Sequence, residues 1–237
     1  MDDFSLDGFL ASQNGIVLQK PVSLAAAVPI YNEAQIAGRS GTLVSFTGAY
    51  KNRKAEASCY SLSSTLMNDV STASNFLFST VGYRRLQMSY DSTHFLKARI
   101  INGSEIQQRL EKLNPFKITW DCMPQRFLTS GENNTLIYTS GDTITNPTSF
   151  STKPLLRING TTGTAGTITI NDVTITLLNI VDWMYIDCEM ENAYGAVNNY
   201  NANISATVFP ELKGGANAIY FTGDIDHITI VPRWWEL

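Results

Sequence analysis

The residues most able to do chemistry are the carboxylates of an acidic row, Asp187, Glu189 and Glu191, with Asp182 nearby. Two carboxylates at a suitable separation can act as acid and base on a glycosidic bond, and carboxylate oxygens also bind Ca²⁺. Side chains at positions i, i+2 and i+4 of a strand share one face, and an acidic face of this kind is ordinarily solvated. We therefore interpret the row as the solvated face of a strand that continues to residue 191, with calcium binding and catalysis as alternatives.

The other reactive side chains form no recognisable site. His94 and His227 each lie in a strand-like run with no second ligand at metal spacing, and HEXXH and CXXC patterns are absent. Cys59, Cys122 and Cys188 are odd in number and far apart, which predicts buried thiols and not a disulfide framework. The sequence therefore predicts no catalytic residue, no cofactor and no metal site.

The composition favours a two-domain, mainly β protein. Of 237 residues, 43% are hydrophobic and 16% charged, and aromatic and β-branched residues are plentiful. Residues 1–140 hold 13 Lys and Arg against 11 Asp and Glu (+2), and residues 141–237 hold 4 against 10 (−6), which sum to −4. Neither half is basic enough for nucleic-acid binding as its main task. The acidic start and the lack of a bilayer-spanning apolar run predict a protein made in a cytosol, without membrane insertion.

The elements that would position any site are mostly strands. The stretch Gly38–Lys54 has glycine turns around an alternating strand with apolar Leu43 and polar Ser45. One helix is predicted over residues 63–79, capped by Ser63 or Ser64. Its apolar residues recur at spacings of three and four: Leu66, Val70, Ala73 and Leu77.

Residues 104–113 are ambiguous. Ile106, Leu110 and Leu113 fit a helix that Ser104 could cap, but the segment lies between two strand-like runs. Local propensity alone favours the helix.

A stretch rich in Ser, Thr, Asn and Gly, residues 129–150, predicts the domain junction. Beyond it, TITI and VTITL alternate around Asn171-Asp172, a two-residue turn. We also expect a last hairpin that pairs AIYF with HITIV across Gly223-Asp224. The second domain is therefore predicted to be a β-sandwich.

The final PRWWEL segment places two tryptophans on opposite faces of a strand. In one interpretation Trp234 and Trp235 both seal the base of the sandwich. In the other, one of them contacts the first domain or a neighbouring subunit.

Together, segments in the same order along nearly the whole chain resemble the distal tail protein (Dit) family of long-tailed phages, especially those that infect Gram-positive bacteria. Each segment is weakly specific alone, and the ordered series is specific. The segments are GRSGTL (38–43), GAYKNR (48–53), GYRRLQMSYDSTHFLKARI (82–100), FKITWDCMPQRF (116–127), NPTSFSTKPLLRING (146–160), TITINDVTITL, YIDCEMENAY, FPELKGGANAIYFTG and PRWWEL.

The resemblance implies a fold and a set of partners. Residues 1–140 would be a β-sandwich or split-barrel domain with one helix, and residues 141–230 a galectin-like β-sandwich. The resemblance also favours a strand for residues 104–113 and lets the C-terminal strand, 231–237, pack back on the first domain. Such a protein would be a homo-hexamer ring at the virion tail tip, made in the host bacterial cytoplasm.

The implied ring would join the major tail tube protein to the tail-associated lysin, hub or fibre protein, with a receptor-binding protein as a further partner. DNA would pass through its channel without specific binding. A closed ring needs two complementary patches on each subunit, and charge pairing can fix their rotation. Subunit-interface candidates are Lys51, Arg53, Lys54, Arg84 and Arg85, with ordinary solvated turns as the alternative; inter-domain packing candidates are Trp234 and Trp235.

The alternative function is a carbohydrate- or receptor-binding module of the phage adhesion device. Sugar-binding galectins use His, Asn, Arg and a stacking Trp on one sheet. Residues 141–230 offer one His and one Arg, widely separated in sequence, and Trp183, so that constellation is not visible in the sequence. Fold alone does not carry activity with it, and an enzyme is not expected.

Overall fold

The structure, a computed structural model, describes residues 2–61, 66–111 and 115–237. The chain divides into two compact units: Met1–Arg126 with Leu237, and Phe127–Glu236. The division lies before the predicted junction at 129–150, because that polar stretch contains strands that pair within the second unit. The predicted domain bounds of 1–140 and 141–230, with 231–237 packing back, stay predictions.

A curled antiparallel sheet forms the first unit, in the order β2-β1-β8-β9-β10-β7-β3, with β4 also paired to β7. Strands β5 and β6 pair with each other as a separate two-stranded sheet. The strand bounds are β1 (Phe4–Leu6), β2 (Phe9–Leu10), β3 (Ile16–Leu18), β4 (Ser23–Leu24), β5 (Val28–Gln35), β6 (Thr42–Lys51), β7 (Arg53–Ser61), β8 (Arg84–Met88), β9 (Asp91–Ile100) and β10 (Phe116–Cys122).

Two described helices pack on this sheet, α1 (Leu66–Phe78) and α2 (Gly103–Glu111). Ala73 and Leu77 of α1 enter the core, which confirms the predicted helix there. Ser63 and Ser64, the predicted caps, and Leu113 lie outside the described residues. The core of the unit centres on Trp120, against which the ring of Phe4 packs edge-on at 5.2 Å.

The preference for a strand over residues 104–113 is wrong for the described residues 104–111, which are helical, and so is the count of one helix. Ile106 and Leu110 of α2 are spaced by four residues and both are fully buried, so the helical period decides. The Asn102 side chain ties the start of this segment to β10, since it donates to Lys117 O at 2.7 Å and accepts from Thr119 N at 2.9 Å.

The second unit is a sandwich of two five-stranded antiparallel sheets, β12-β21-β14-β17-β18 and β13-β20-β15-β16-β19. Their inner faces enclose a core of isoleucine, leucine and methionine side chains. Strand β11 crosses the division between the units and pairs with β22. The strands are β11 (Arg126–Leu128), β12 (Thr135–Ile137), β13 (Thr143–Asn146), β14 (Leu155–Gly160), β15 (Gly166–Ile170), β16 (Val173–Leu177), β17 (Trp183–Asp187), β18 (Asn192–Tyr194), β19 (Ile204–Ser205), β20 (Gly215–Gly223), β21 (Ile225–Val231) and β22 (Trp235–Glu236).

The turn prediction at Asn171-Asp172 is confirmed, since β15 and β16 pair there and Asn171 has a φ of 53°. The predicted hairpin across Gly223-Asp224 is wrong. Strands β20 and β21 belong to opposite sheets, and the chain crosses between layers at this point. Gly223 has a φ of 86°, and a Cβ there would lie 2.2 Å from Ala165 O, so a glycine is needed for the crossing.

The fold is thus mainly β, as predicted, with a two-layer sandwich in the second unit. None of the helices in the described ranges is long and apolar enough to span a bilayer.

Candidate functional site

The β5–β6 hairpin, residues 28–51, is largely exposed along its whole length, and we call it the arm. Its strands pair only with each other among the described strands. On one face, Tyr31 lies opposite Phe46, with 5.9 Å between their ring centroids, and Tyr50 lies 5.4 Å from Phe46. Val44 continues this face, and Val44 and Phe46 are 52% and 47% exposed. We call Tyr31, Val44, Phe46 and Tyr50 the arm face.

An isolated two-stranded hairpin is at best marginally stable in water. A contiguous exposed apolar patch usually marks an interaction surface. The arm therefore has the character of a segment that binds another surface. The sequence showed the alternating strand through Leu43 and Ser45, and the clue to its exposure was the large side chains on both faces.

The basic interface candidates near the arm differ in how far they are buried. Lys51, at the end of the arm, and Lys54, on β7, are exposed. Arg53, between them, is only 5% exposed and points into the first unit, because side chains alternate along a strand. Lys51 and Lys54 are therefore available to a partner, and Arg53 in this conformation is not.

Arg84 is committed within the first unit. Its Nε donates to Asp7 Oδ2 at 2.7 Å, and its Nη1 donates to Phe76 O, a carbonyl in the last turn of α1. It thus satisfies a carbonyl that the helix end leaves without a partner. Burial would raise the Asp7 pKa, but the hydrogen bonds from Arg84 and from the Arg85 backbone, together with the charges of both arginines, lower it overall.

Arg85 is also engaged, since its Nη1 donates to Gln87 Oε1 at 2.6 Å and its guanidinium lies 4.4 Å from the Phe95 ring centroid. That Lys51, Arg53, Lys54, Arg84 and Arg85 contact a neighbouring subunit stays a prediction, and exposure favours Lys51 and Lys54.

The acidic row is not the face of one strand. Strand β17 ends at Asp187, and the next residues turn because the Asp187 carboxylate accepts the backbone N–H of Glu189 and Met190. The predicted alternation through residue 191 is therefore wrong, and Met190 is exposed.

Arg233 binds this turn from the C-terminal segment. Its Nη1 and Nη2 donate to the two Asp187 oxygens at 2.8 and 2.7 Å, and Nη1 also lies 3.3 Å from Glu189 Oε2. Burial would raise the Asp187 pKa, but the bidentate bond to Arg233 and the backbone donors lower it overall. The buried carboxylate is thus a structural anchor for the chain end.

The two tryptophans of PRWWEL pack within the second unit. Trp234 enters the core of the sandwich, and Gly131 lies so close that a Cβ there would be 2.3 Å from Trp234 N. The Trp235 ring stacks on Phe150 with 4.5 Å between centroids and donates from Nε1 to Ser151 O. Contact of either tryptophan with the first domain or a neighbouring subunit stays a prediction.

The outward side of the β14–β17–β21 sheet carries a mixed aromatic and polar surface. Asn159 pairs with Trp183 on one side and His227 on the other, and Arg157 pairs with Tyr185. The Arg157 guanidinium lies 5.2 Å from the Trp183 ring centroid. We call these five residues the outer face.

The His and Arg of residues 141–230 are far apart in sequence but come together in space. His227 and Arg157 are diagonal neighbours on adjacent strands, because β21 pairs with β14. Arg157 Nε and Asn159 Oδ1 are buried and bond to none of the described residues. Long-range strand pairing brings these groups together, and no local signal in the sequence could have shown it.

The described residues contain no group of three His, Cys, Asp or Glu side chains placed to hold a metal ion. His94 Nδ1 lies 3.1 Å from Asp91 Oδ1, and the ring of His227 packs on that of Tyr138 with 5.4 Å between their centroids. All three cysteines are free and buried, as predicted, and burial raises the pKa of each thiol to about 12. These thiols are therefore not nucleophiles at neutral pH.

Comparison with known proteins gives a likeness of fold. No protein-family model matches the chain, and no curated protein matches it. A solved structure does: SPP1 Dit (gp 19.1), described as a paradigm of hub adsorption apparatus in Gram-positive infecting phages. The likeness covers 100% of both chains with a TM-score of 0.73 at 13% sequence identity. The chain therefore has the fold of SPP1 Dit, as the ordered sequence motifs predicted.

Proposed function

We propose that this chain is a structural component of the tail tip of a long-tailed phage, where it forms the hub of the adsorption apparatus. The observation that carries the proposal is the full-length likeness in fold to a phage hub protein. The ordered motifs in the sequence point to the same family independently. Its place would be the virion tail tip, after synthesis in the host bacterial cytoplasm.

We further propose that copies of the chain close into a homo-hexamer ring through the arm. The arm face of one subunit would pack on a different surface of its neighbour, a heterologous contact that closes after a fixed rotation. Burial of half-exposed side chains such as Val44 and Phe46 would supply the driving force. Lys51 and Lys54 would set the rotation by charge pairing.

The ring would join the major tail tube protein to the tail-associated lysin, hub or fibre protein and to a receptor-binding protein. DNA would cross its channel without specific binding. We propose a role without catalysis, which is supported by the commitment of Asp187 and Glu189 to Arg233 and by the protonated cysteines.

Negative-stain electron microscopy of the purified full-length chain, together with light scattering, tests the proposal. We expect six-fold rings with a channel wide enough for double-stranded DNA. A monomer at every concentration, still without rings after mixing with the tail partners, would contradict the hub.

The outer face favours a second candidate function, recognition of a glycan. Aromatic rings next to amide, guanidinium and imidazole groups suit a sugar, which offers one apolar face and a rim of hydroxyls. Isothermal titration calorimetry with host cell-wall fragments tests it, with Trp183→Ala and, as a matched aromatic control on the other sheet, Tyr220→Ala. Binding lost only in Trp183→Ala supports the candidate; silence of the wild-type chain rules it out for those glycans.

A further inference from the structure

A cavity of about 370 Å³ lies in the first unit beside β8 and β9. Its volume falls within the range of roughly 300–1,000 Å³ in which proteins bind small molecules. Five residues with polar groups border it: Arg53, Tyr90, Asp91, His94 and Arg126. The apolar part of the wall consists of Val22, Leu24, Ala25, Ala26, Leu86, Met88, Phe95, Leu96 and Leu237, the last residue of the sequence.

Arg53 is the unusual member of this wall. Its Nε and Nη2 are closed to solvent and make no hydrogen bond with the described part of the chain. These two atoms form one edge of the guanidinium, the fork that binds both oxygens of a carboxylate. A buried charge without a partner is costly, so an unoccupied fork at a cavity wall points to a missing anion.

No group in the described part of the chain bonds to Arg53 Nε or Nη2. Cys122 lies opposite it on β10, but burial raises the Cys122 pKa to about 12, so this thiol is neutral. Burial and the positive charge of Arg126 lower the pKa of Arg53. Asp91, the carboxylate in the wall, is held by Arg126 at 2.9 Å.

Asp91 is a fixed anion of the wall. Thr93 Oγ1 lies 2.8 Å and His94 Nδ1 3.1 Å from its Oδ1. Burial would raise the Asp91 pKa, but these hydrogen bonds and the one from Arg126 lower it to about 2. Asp91 is therefore engaged by Arg126, Thr93 and His94 and not by Arg53.

We propose that this cavity binds a carboxylate carried on a short apolar stem, with Arg53 as the residue that holds the carboxylate. The apolar wall receives the stem, and a turn of the Arg53 guanidinium towards the cavity presents its fork. The planar fork of Arg53 matches the two oxygens of a carboxylate, and the apolar wall favours a ligand with an apolar stem over inorganic phosphate, which has none. The carboxylate is that of a free small acid or of an acidic side chain of a second copy.

Isothermal titration calorimetry of the full-length chain with butyrate tests this site, at constant ionic strength. The matched controls are n-butanol, which lacks the charge, and inorganic phosphate, which lacks the stem. We expect saturable butyrate binding, at least about tenfold tighter than either control, as a charge-assisted hydrogen bond should give. Equal binding of n-butanol, tighter binding of phosphate, or no butyrate binding would overturn the proposal.

Substitutions assign the site to Arg53. Arg53→Met should abolish butyrate binding and Arg53→Lys should weaken it, because Lys lacks the fork. Arg99→Met, which removes an exposed guanidinium paired with Asp121 elsewhere in the unit, should bind as the wild type does. Butyrate binding retained in Arg53→Met would overturn the assignment.

A stability measurement tests, without any ligand, whether Arg53 lacks a partner in the folded protein. Arg53→Met should melt no lower than Arg99→Met, because it removes an unpartnered buried charge. A much lower melting temperature would mean that Arg53 is already satisfied in the protein and would contradict an open fork.

Light scattering with saturating butyrate separates the two sources. A fall in oligomer mass identifies the natural carboxylate as a side chain of a second copy. An unchanged mass identifies it as a free small acid.

Discussion

Two hairpins of this molecule share an alternating apolar pattern and have opposite surroundings. In the β15–β16 hairpin, Ile168, Ile170 and Ile175 are fully buried against the opposite sheet of the sandwich. In the arm, Val44 and Phe46 are about half exposed. The chain supplies a second layer for the first hairpin and, among the described residues, none for the arm.

Alternation therefore specifies a strand but not the location of the layer that covers it. Two packed layers are the ordinary way in which a sheet buries its apolar face. We propose that the arm obtains its second layer from a neighbouring copy, so its apolar residues serve assembly and those of the sandwich serve folding. The following predictions separate these two uses.

The largest expected effect is a cavity in the sandwich. Ile168→Ala should lower the free energy of unfolding by about 2–5 kcal/mol, because it removes buried methyl groups and leaves a void. Val44→Ala in the arm should change it by less than about 0.5 kcal/mol in the monomer. Urea denaturation measures the unfolding free energy of both variants. Equal decreases would contradict the division between residues for folding and residues for assembly.

The second-largest decrease in stability should follow loss of the C-terminal anchor, the pair of Arg233 and Asp187. Arg233→Met leaves the Asp187 carboxylate buried and unpaired, so we expect a loss of about 3 kcal/mol. The matched control is Lys153→Met, which removes a partner of Glu191 at 3.8 Å in an exposed pair and should cost at most about 1 kcal/mol. Thermal denaturation compares them, and equal melting temperatures would show that Arg233 is not an anchor.

Acidification should reduce the difference in unfolding free energy between Arg233→Met and the wild type. The Asp187 pKa in the folded chain lies below the ordinary 3.8, so its contribution is complete above that pH and is lost as the pH falls through the folded value. Urea midpoints between pH 7 and the acid range, roughly pH 2, measure this. A gap that stays constant would mean that the Asp187–Arg233 pair does not carry the difference.

The smallest expected effect is on thiol reactivity. Cys59, Cys122 and Cys188 have pKa values of about 12 and are buried, so native chains should not react with a thiol reagent at pH 8. Under partial denaturation, labelling of Cys188 reports opening of the second unit, and labelling of the other two reports the first. Rapid labelling of the native chain would contradict this burial.

The sequence predicted elements whose signals are local. The helix at Ala73 and Leu77 and the turn at Asn171 follow from periodicity and turn chemistry. The segment around Ile106 shows the same rule, because local spacing favoured the helix that forms while the family resemblance favoured a strand.

Features that depend on long-range pairing could not be predicted. Gly223-Asp224 has the composition of a hairpin turn, but the chain uses it to cross between sheets. The outer face exists only because β21 and β17 flank β14, and Asp187 ends its strand only because nearby backbone donors turn towards its carboxylate. The unpartnered edge of Arg53 likewise required the packed first unit.

Assembly through the arm is the central claim, and light scattering of the wild type and a Val44→Ser/Phe46→Ser variant tests it most directly. A matched control, Val197→Ser, removes an exposed valine from the second unit. We predict hexamers for the wild type and control, and folded monomers for the arm variant. Hexamers of equal stability in the arm variant, or monomers throughout, would contradict the account.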